Sequence, residues 1–193
     1  MEQFVIGIDL KEEYSQISCW KSGASEPQSI SVVTGEERYR IAAAGTEELL
    51  KKAMRLLRPY GKLGEAAAVV FSVPETSPQV VEQVKVAAMR MGIQEEKIYV
   101  QTDHESFCSY VMHQPREIHT HHVALFSYEG HVLKASLLLL NQKQQPALAR
   151  VETEADWEIT GMQDLTKEEQ DAYFAALIRR VFEQKIISAA YLL

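Results

Sequence analysis

The order of apolar segments along the chain constrains its fold more than any other feature. The run Phe4–Leu10 is apolar and rich in β-branched residues, which indicates a buried strand. Ser15–Trp20 and Gln28–Val33 have strand patterns too, and residues typical of turns separate them. A short apolar run near residues 39–42 follows. The chain therefore opens with a meander of strands.

Three helical patterns come next, and each begins beside a residue whose side chain can cap a helix. The predicted N-caps are Thr46, Ser77 and Asp103. Between the helices lie two further strands, Ala66–Val73 and Lys97–Gln101, and the first of these has the continuous apolar character of a strand buried on both faces. Strands separated by helices indicate parallel strands joined by crossover connections.

A second set of strands begins after residue 118. The patterns predict strands at His122–Ser127, Val132–Leu140 and about Ala147–Glu152, followed by a helix with a capping box formed by Thr166 and Glu169. The full order is βββαβαβα and then βββα, an α/β fold in which the second group repeats the start of the first. We predict a first domain at residues 1–117 and a partial second domain at residues 118–193, which we expect to be a truncated copy of a full lobe.

Composition excludes several classes of protein. The formal net charge of −7 argues against general binding to nucleic acid or to an anionic membrane. No apolar run approaches the roughly 18 residues that a membrane-spanning helix needs, and Met1–Gln3 lacks the basic start of a secretory signal. Two cysteines without C-x-x-C spacing suit a reducing compartment. We expect a cytoplasmic protein with neither a nucleic-acid nor a membrane partner.

Several segments, in this order, resemble motifs of the actin-like ATPases and DnaK-like chaperones. Residues 6–10, I-G-I-D-L, resemble the start of the first phosphate motif, roughly G-I-D-L-G-T-T. Residues 68–74, A-V-V-F-S-V-P, and 87–93, A-A-M-R-M-G-I, resemble the strand and helix that follow it, while residues 99–106 and 123–130 fall where the connecting element and the second phosphate motif lie. The resemblance implies a ribonuclease-H-like first lobe, βββαβαβα, and the first half of a second lobe, βββα.

The phosphate motifs depart from this family where they would contact phosphates. In the family a glycine follows the first aspartate, so that backbone N–H groups approach the phosphates closely, but Lys11, Glu12 and Glu13 stand here. The second motif has Ser127 in place of its aspartate and keeps only Gly130 of its glycines. The nine glycines of the chain include no adjacent pair. These departures favour a catalytically degenerate domain that holds no cofactor by itself.

The resemblance leaves a small set of candidate site residues. It implies that Asp9 holds a Mg²⁺-bound water and that Asp103 lies near the family's connecting glutamate, which positions the attacking water. Equally, Asp9 can cap a turn or pair with Lys11, and Asp103 can serve only as a helix cap. The candidate nucleotide-binding residues are Asp9, Lys11, Ser15, Ser127 and Gly130.

Two metal hypotheses arise from the residues themselves. His119 and His121 would share one face of a strand, which makes them a candidate metal site, although spacing fixes no third ligand and a solvated linker is the competing interpretation. Asp9 and Asp103 could also belong to the carboxylate cluster of a two-metal, ribonuclease-H-like nuclease.

Three functions therefore stand side by side. A degenerate actin-like domain would act as a protein-interaction or scaffold module and would not be an enzyme. Alternatively, the chain is the N-terminal part of an ATPase that binds ATP and Mg²⁺ only when further chain completes the site. The third hypothesis is the metal-dependent nuclease. Because a partial second lobe would expose apolar strand edges, we expect a protein partner or self-association through the second half.

Overall fold

A computed structural model describes residues 3–10, 14–30, 41–42, 45–114, 121–129, 131–141 and 150–192. The chain divides into two compact units, residues 1–106 (unit 1) and residues 107–193 (unit 2). The division falls after Ser106, whereas the sequence analysis places it after residue 117. None of the helices formed by the described residues has both the length and the apolar character needed to cross a membrane.

Unit 1 contains a mixed sheet with the strand order β3-β2-β1-β5-β6, and β4 also pairs with β2. The strands are β1 Phe4–Asp9, β2 Tyr14–Lys21, β3 Gln28–Ser29, β4 Ile41–Ala42, β5 Ala68–Val73 and β6 Ile98–Thr102. β1 is antiparallel to β2 and parallel to β5, and β5 is parallel to β6. The predicted meander continued by crossovers is confirmed. The predicted third strand extends beyond β3 into residues that lie outside the described ones.

The alternation of side chains along β1 explains why unit 1 has one apolar and one open face. Phe4, Ile6 and Ile8 are buried, and they belong to a core formed with helices α1 (Thr46–Leu57) and α2 (Pro78–Arg90). Successive residues of a strand point to opposite faces. Gly7 and Asp9 therefore face away from this core, on the side of the sheet where the candidate site lies.

The helix caps differ from the prediction at two of three positions. Ser77 is the N-cap of α2 and accepts a hydrogen bond from the Val80 backbone N–H at 3.4 Å, as predicted. Thr46 is not a cap. It is the first residue of α1, and the N-cap position is occupied by Gly45. Asp103 is not a cap either. It is the first residue of helix α3 (Asp103–His113), which follows Thr102.

Thr102 caps α3 through a capping box that the sequence analysis missed. The Thr102 hydroxyl accepts a hydrogen bond from the Glu105 backbone N–H at 3.1 Å, and the Thr102 backbone N–H donates to Glu105 Oε2 at 2.7 Å. The spacing Thr102-x-x-Glu105 is the sequence signature of this motif. Because Thr102 takes the capping position, the carboxylate of Asp103 is available for other contacts.

Unit 2 contains a second sheet, one long helix and the part of α3 that follows Ser106. Its elements are β7 His122–Glu129, β8 Val132–Asn141, β9 Arg150–Ile159, α4 Lys167–Gln184 and β10 Ile187–Leu192. The strand order is β10-β7-β8-β9, with β10 parallel to β7 and the other pairs antiparallel. The predicted βββα order and the capping box of Thr166 with Glu169 are confirmed. The structure adds β10, which the sequence analysis left without an assignment.

The two sheets share one topology. In unit 1 the strands run β3-β2-β1-β5, and in unit 2 they run β9-β8-β7-β10, with the same parallel and antiparallel relations at each position. A helix precedes the parallel strand in both units, α1 before β5 and α4 before β10. The second group of elements is therefore a repeat of the first, as the element order predicts.

We expect the replacement of Thr102 by Ala to lower the free energy of unfolding by about 0.5–2 kcal/mol, because it removes the cap of α3. The matched control is Thr46→Ala, which removes no cap and should change the free energy of unfolding by less than about 0.5 kcal/mol. Urea denaturation of both variants measures these values. Equal losses in the two variants would contradict the assignment of Thr102 as the cap.

The capping box of α4 should make the stability of unit 2 depend on pH. Hydrogen bonds from the backbone N–H and then the hydroxyl of Thr166 lower the pKa of Glu169 from its ordinary value of 4.5. Since the pKa is lower in the folded state, the stabilisation is complete above pH 4.5 and is lost as the pH falls through the folded pKa. We expect Glu169→Gln to reduce the acid sensitivity of the urea midpoint. Glu168→Gln, on the same turn but outside the box, is the control and should retain it.

Candidate functional site

The carboxyl ends of three strands of unit 1 bring polar side chains together. Asp9 on β1 is in register with Ser72 on β5, and Ser72 is in register with Gln101 on β6. These strands are parallel, and residues in register across neighbouring strands project from the same face of a sheet. Asp9, Ser72 and Gln101 therefore form a row on the face opposite the helical core.

Asp103 joins this row through a short hydrogen bond. The Ser72 hydroxyl donates to Asp103 Oδ1 at 2.7 Å. Because the pairing of β5 with β6 extends to Val73 opposite Thr102, the first turn of α3 starts directly beside Ser72. The carboxylate of Asp103 therefore contacts a neighbouring strand, which is a different role from the helix cap that the sequence predicts.

Ser106 and Gln101 extend the contact into a network. Ser106 Oγ lies 2.9 Å from Ser72 Oγ and 3.0 Å from the carbonyl oxygen of Thr102, so its single proton serves one of these acceptors at a time. Gln101 Nε2 donates to Ser106 Oγ at 2.8 Å. The hydrogen bonds that connect Gln101 to Asp103 join groups of unit 1 alone. These bonds fix the orientation of each of the side chains that they join.

Asp9 is held at the edge of this network by the backbone. The Leu10 N–H donates to the carbonyl oxygen of Ser72 at 2.9 Å, which continues the pairing of β1 with β5 past Asp9. The Asp9 side chain is half-buried and its Oδ1 atom is buried. The alternative prediction, an ion pair of Asp9 with Lys11, concerns a residue outside the described ones.

A cavity of about 250 Å³ lies beside Asp9 on the same face. Its lining includes the hydroxyl, carboxamide and carboxylate groups of Asp9, Gln16, Ser18 and Ser72, and the described residues around it include neither Lys nor Arg. Pockets for drug-sized ligands have volumes of about 300–1,000 Å³. The cavity is therefore smaller than this range, and among the described residues that line it the one formal charge is the negative charge of Asp9.

Close packing against the neighbouring strand requires a glycine at position 7 in the cavity wall. A Cβ atom added at Gly7 would lie 2.7 Å from Ser18 Oγ on the neighbouring strand, which is closer than carbon and oxygen atoms approach without a shift of one of them. The glycine of the I-G-I-D-L motif therefore has a structural reason within the strand pair, whatever the site binds.

Of the remaining candidate residues, the structure describes Ser15 in unit 1 and Ser127 in unit 2. Ser15 is buried with 2% of its surface exposed, and it follows the alternation of β2 onto the face opposite that of Gln16. Ser127 lies on β7 in unit 2, where it pairs with Lys134. Three further candidates lie outside the described residues, and they are Lys11, Gly130 and His119.

Of the two histidines predicted to form a metal site, His121 is among the residues that the structure describes. His121 is exposed, and its backbone N–H donates to Ser188 Oγ at 3.3 Å. Among the residues that the structure describes, no group of three or more His, Cys, Asp and Glu side chains is arranged to hold a metal ion. The proposed pair of His119 and His121 stays a prediction.

The sequence analysis missed Ser72, Gln101 and Ser106 as site residues. One usable signal was present, since Ser72 interrupts an apolar strand just before it ends, at the position where polar groups of parallel strands converge. The other signal was the capping box of Thr102 and Glu105, which assigns the cap of α3 to Thr102 and not to Asp103.

Comparison with known proteins identifies a family and a fold. The model of a family of unknown function, DUF5716 C-terminal, matches residues 31–193. No curated protein matches the chain.

Among solved structures, the chain is similar to glucokinase from Balamuthia mandrillaris in complex with glucose, with a TM-score of 0.52, 10% identity, and coverage of 80% of this chain and 48% of that chain. It is also similar to YeaZ from Pseudomonas aeruginosa (TM-score 0.46, 13% identity, 82% and 69% covered) and to MreB 5 of Spiroplasma citri bound to AMPPNP (0.47, 10%, 82% and 52%). The chain thus spans about half the length of the glucokinase and MreB chains. The likeness to glucokinase shows an actin-like ATPase fold, which confirms the fold that the sequence motifs imply.

We expect Ser72→Ala to lower the free energy of unfolding by about 1–3 kcal/mol, because it removes a hydrogen bond to a charged carboxylate. Ser29→Ala, at an exposed position lining the same cavity, is the matched control and should cost less than about 0.5 kcal/mol. A double-mutant cycle of Ser72→Ala with Asp103→Ala, measured by urea denaturation, isolates the interaction of the two side chains, because each change removes one partner of the hydrogen bond. Additive losses would show that the two side chains do not interact in solution.

Proposed function

The chain belongs to DUF5716 C-terminal, a family of unknown function, and we propose that it is a catalytically degenerate actin-like domain that acts by binding protein. In this proposal the fold is a scaffold, and the cleft chemistry of an ATPase is absent. The alternative functions make different demands on the same residues, so they can be tested on this chain.

The observation that carries the proposal is the hydrogen bond from Ser72 to Asp103. If Asp103 stands in for the connecting glutamate of the actin-like ATPases, its carboxylate must present an oxygen to the attacking water. Here Asp103 Oδ1 accepts a hydrogen bond from Ser72 Oγ, and the two oxygen atoms are 2.7 Å apart. Ser106 donates a hydrogen bond to Ser72, and Gln101 donates one to Ser106. The carboxylate therefore works as part of an internal network, which supports a structural role.

The groups around Asp9 also do not fit a nucleotide phosphate. The described lining of the cavity supplies no cation, and the sequence places Glu12 and Glu13 where the family has small residues that approach phosphate. A carboxylate 4 Å from a phosphate charge repels it by about 1 kcal/mol in bulk water and about 4 kcal/mol near a protein surface. Both features support a domain that does not hold ATP by itself.

The exposed apolar residues of unit 2 support the interaction half of the proposal. Ile186 and Leu192 are 70% and 67% exposed, and Tyr110 is 50% exposed. Apolar groups that are exposed close together are typical of surfaces that bind another protein. We propose a cytoplasmic location for this function, since Cys19 and Cys108 form no disulfide with each other, which suits a reducing compartment.

One observation favours the second candidate, an ATPase site completed by further chain. The chain covers 48% of the glucokinase structure to which it is similar, so a protein of that size would have room for the groups that cradle a nucleotide. The nuclease hypothesis stays a prediction, and it needs carboxylates in addition to Asp9 and Asp103.

We expect calorimetric titration of the chain with ATP and Mg²⁺ to show no binding at micromolar concentration, because the described lining of the cavity holds no Lys or Arg side chain to bind phosphate. An actin-like ATPase with an intact glycine motif, titrated in the same buffer, is the positive control. Micromolar binding that disappears in Asp9→Asn would overturn the proposal.

Two companion measurements separate the alternatives. ATP binding by a longer chain of the same protein, but not by these residues, would favour the completed ATPase. Cleavage of RNA or DNA that requires Mg²⁺ or Mn²⁺ and is lost in Asp9→Asn would favour the nuclease, since that activity needs the carboxylate while a scaffold does not.

A further inference from the structure

The outer edge of β10 is open in the described part of the chain. β10 is the terminal strand of the order β10-β7-β8-β9. Its counterpart in unit 1 is β5, since both are parallel to the first strand of their unit and follow a helix. In unit 1 the other edge of β5 carries β6. The repeated topology thus marks the outer edge of β10 as a position at which a strand can pair.

This edge lacks the features that keep a strand from pairing with other chains. Residues 186–192, I-I-S-A-A-Y-L, contain neither a charge nor a proline, and Ile186 and Leu192 are 70% and 67% exposed. Exposed edges are commonly protected by charged side chains, prolines or very short strands. By contrast, the sequence of β9, the other terminal strand of this sheet, includes five charged residues, which are Arg150, Glu152, Glu154, Asp156 and Glu158.

An aromatic cluster continues the apolar surface beside β10. The ring of Tyr191 lies 5.4 Å from that of Phe107 and 5.8 Å from that of Tyr110, both edge to face. Phe107 is buried, while Tyr110 is 50% exposed. A chain that pairs with β10 would therefore also meet Tyr110, which adds buried apolar area to the backbone hydrogen bonds of the strand pair.

The distribution of charge on the chain bears on which partner can pair with the outer edge of β10. The chain has a formal net charge of −7, so two copies repel each other unless they meet at an uncharged surface. Two β10 strands related by a two-fold axis place no like charges opposite each other, because residues 187–192 carry no charge. A two-fold axis also makes the paired strands antiparallel and the contact self-complementary.

We propose that a second copy of this chain pairs with β10, edge to edge and antiparallel, so that the sheets of two protomers become continuous. This proposal rests on the proposed function as a protein-interaction domain and names its partner. The contact is narrow beside the 1,200–2,000 Å² of a standard interface, so the dimer is reversible and its population depends on protein concentration.

Sedimentation velocity from low to high micromolar concentration tests the proposal on the full chain. The wild type should shift from monomer to dimer, and Ala190→Lys with Leu192→Lys should weaken the dimer by about tenfold or more, because charged side chains on an edge strand oppose its pairing with another strand. The matched control carries the same two charges on exposed positions of α4, as Ala176→Lys with Gln184→Lys, and should dimerise like the wild type. Far-ultraviolet circular dichroism and the urea midpoint check that each variant is folded.

Amide hydrogen exchange at two protein concentrations locates the contact. Residues 187–192 should become more protected as the concentration rises, while residues 150–159 should not change. A monomer at every concentration would overturn the proposal, as would a dimer in which β9 or another surface gains the protection. Neither result bears on ATP, so the titration with ATP and Mg²⁺ still decides the proposed function separately.

Discussion

The parallel pairing of β1 with β5 is the contact on which the rest of unit 1 depends. It sets Asp9 opposite Ser72, and it leaves Ile6 and Ile8 on the face that α1 and α2 cover. Because β6 then pairs with β5, the start of α3 is carried to the same edge. A shift of one residue in this register would place Asp9 in the apolar core and Ile8 on the open face. The same alternation of residues along β1 therefore determines both the core and the position of the polar site.

The sequence predicts the fold well because its strongest signals are periodic. The apolar strands β1 and β5, the cap at Ser77 and the capping box at Thr166 all act over a few neighbouring residues, and all are confirmed. β10 was missed because a short apolar run without a turn or a cap has no feature that distinguishes a strand from an irregular end. It becomes a strand through pairing with β7, which is distant in the sequence.

The site was harder to predict than the fold, since its roles are assigned by contacts between segments. Asp9 and Asp103 were identified from their places in the chain, but the meaning of Asp103 depends on Ser72, 31 residues earlier. Motif resemblance alone suggests a residue that positions water. The hydrogen bond suggests a residue that joins a helix to a strand, and the proposed function follows from this difference.

The position of β10 in the sheet also bears on how the protein is made. A chain emerges from the ribosome from its N-terminus, and domains fold as their residues become available. In unit 1, β1 can pair with β2 within the first 21 residues. In unit 2, one edge of β7 has no partner in its own sheet until residues 187–192 have been synthesised. In the same way, β1 ends at residue 9 and waits for β5, which begins at residue 68, while β7 ends at residue 129 and waits for β10, which begins at residue 187. During translation the first strand of each unit therefore keeps one unpaired edge for a similar length of synthesis, and unpaired strand edges promote aggregation.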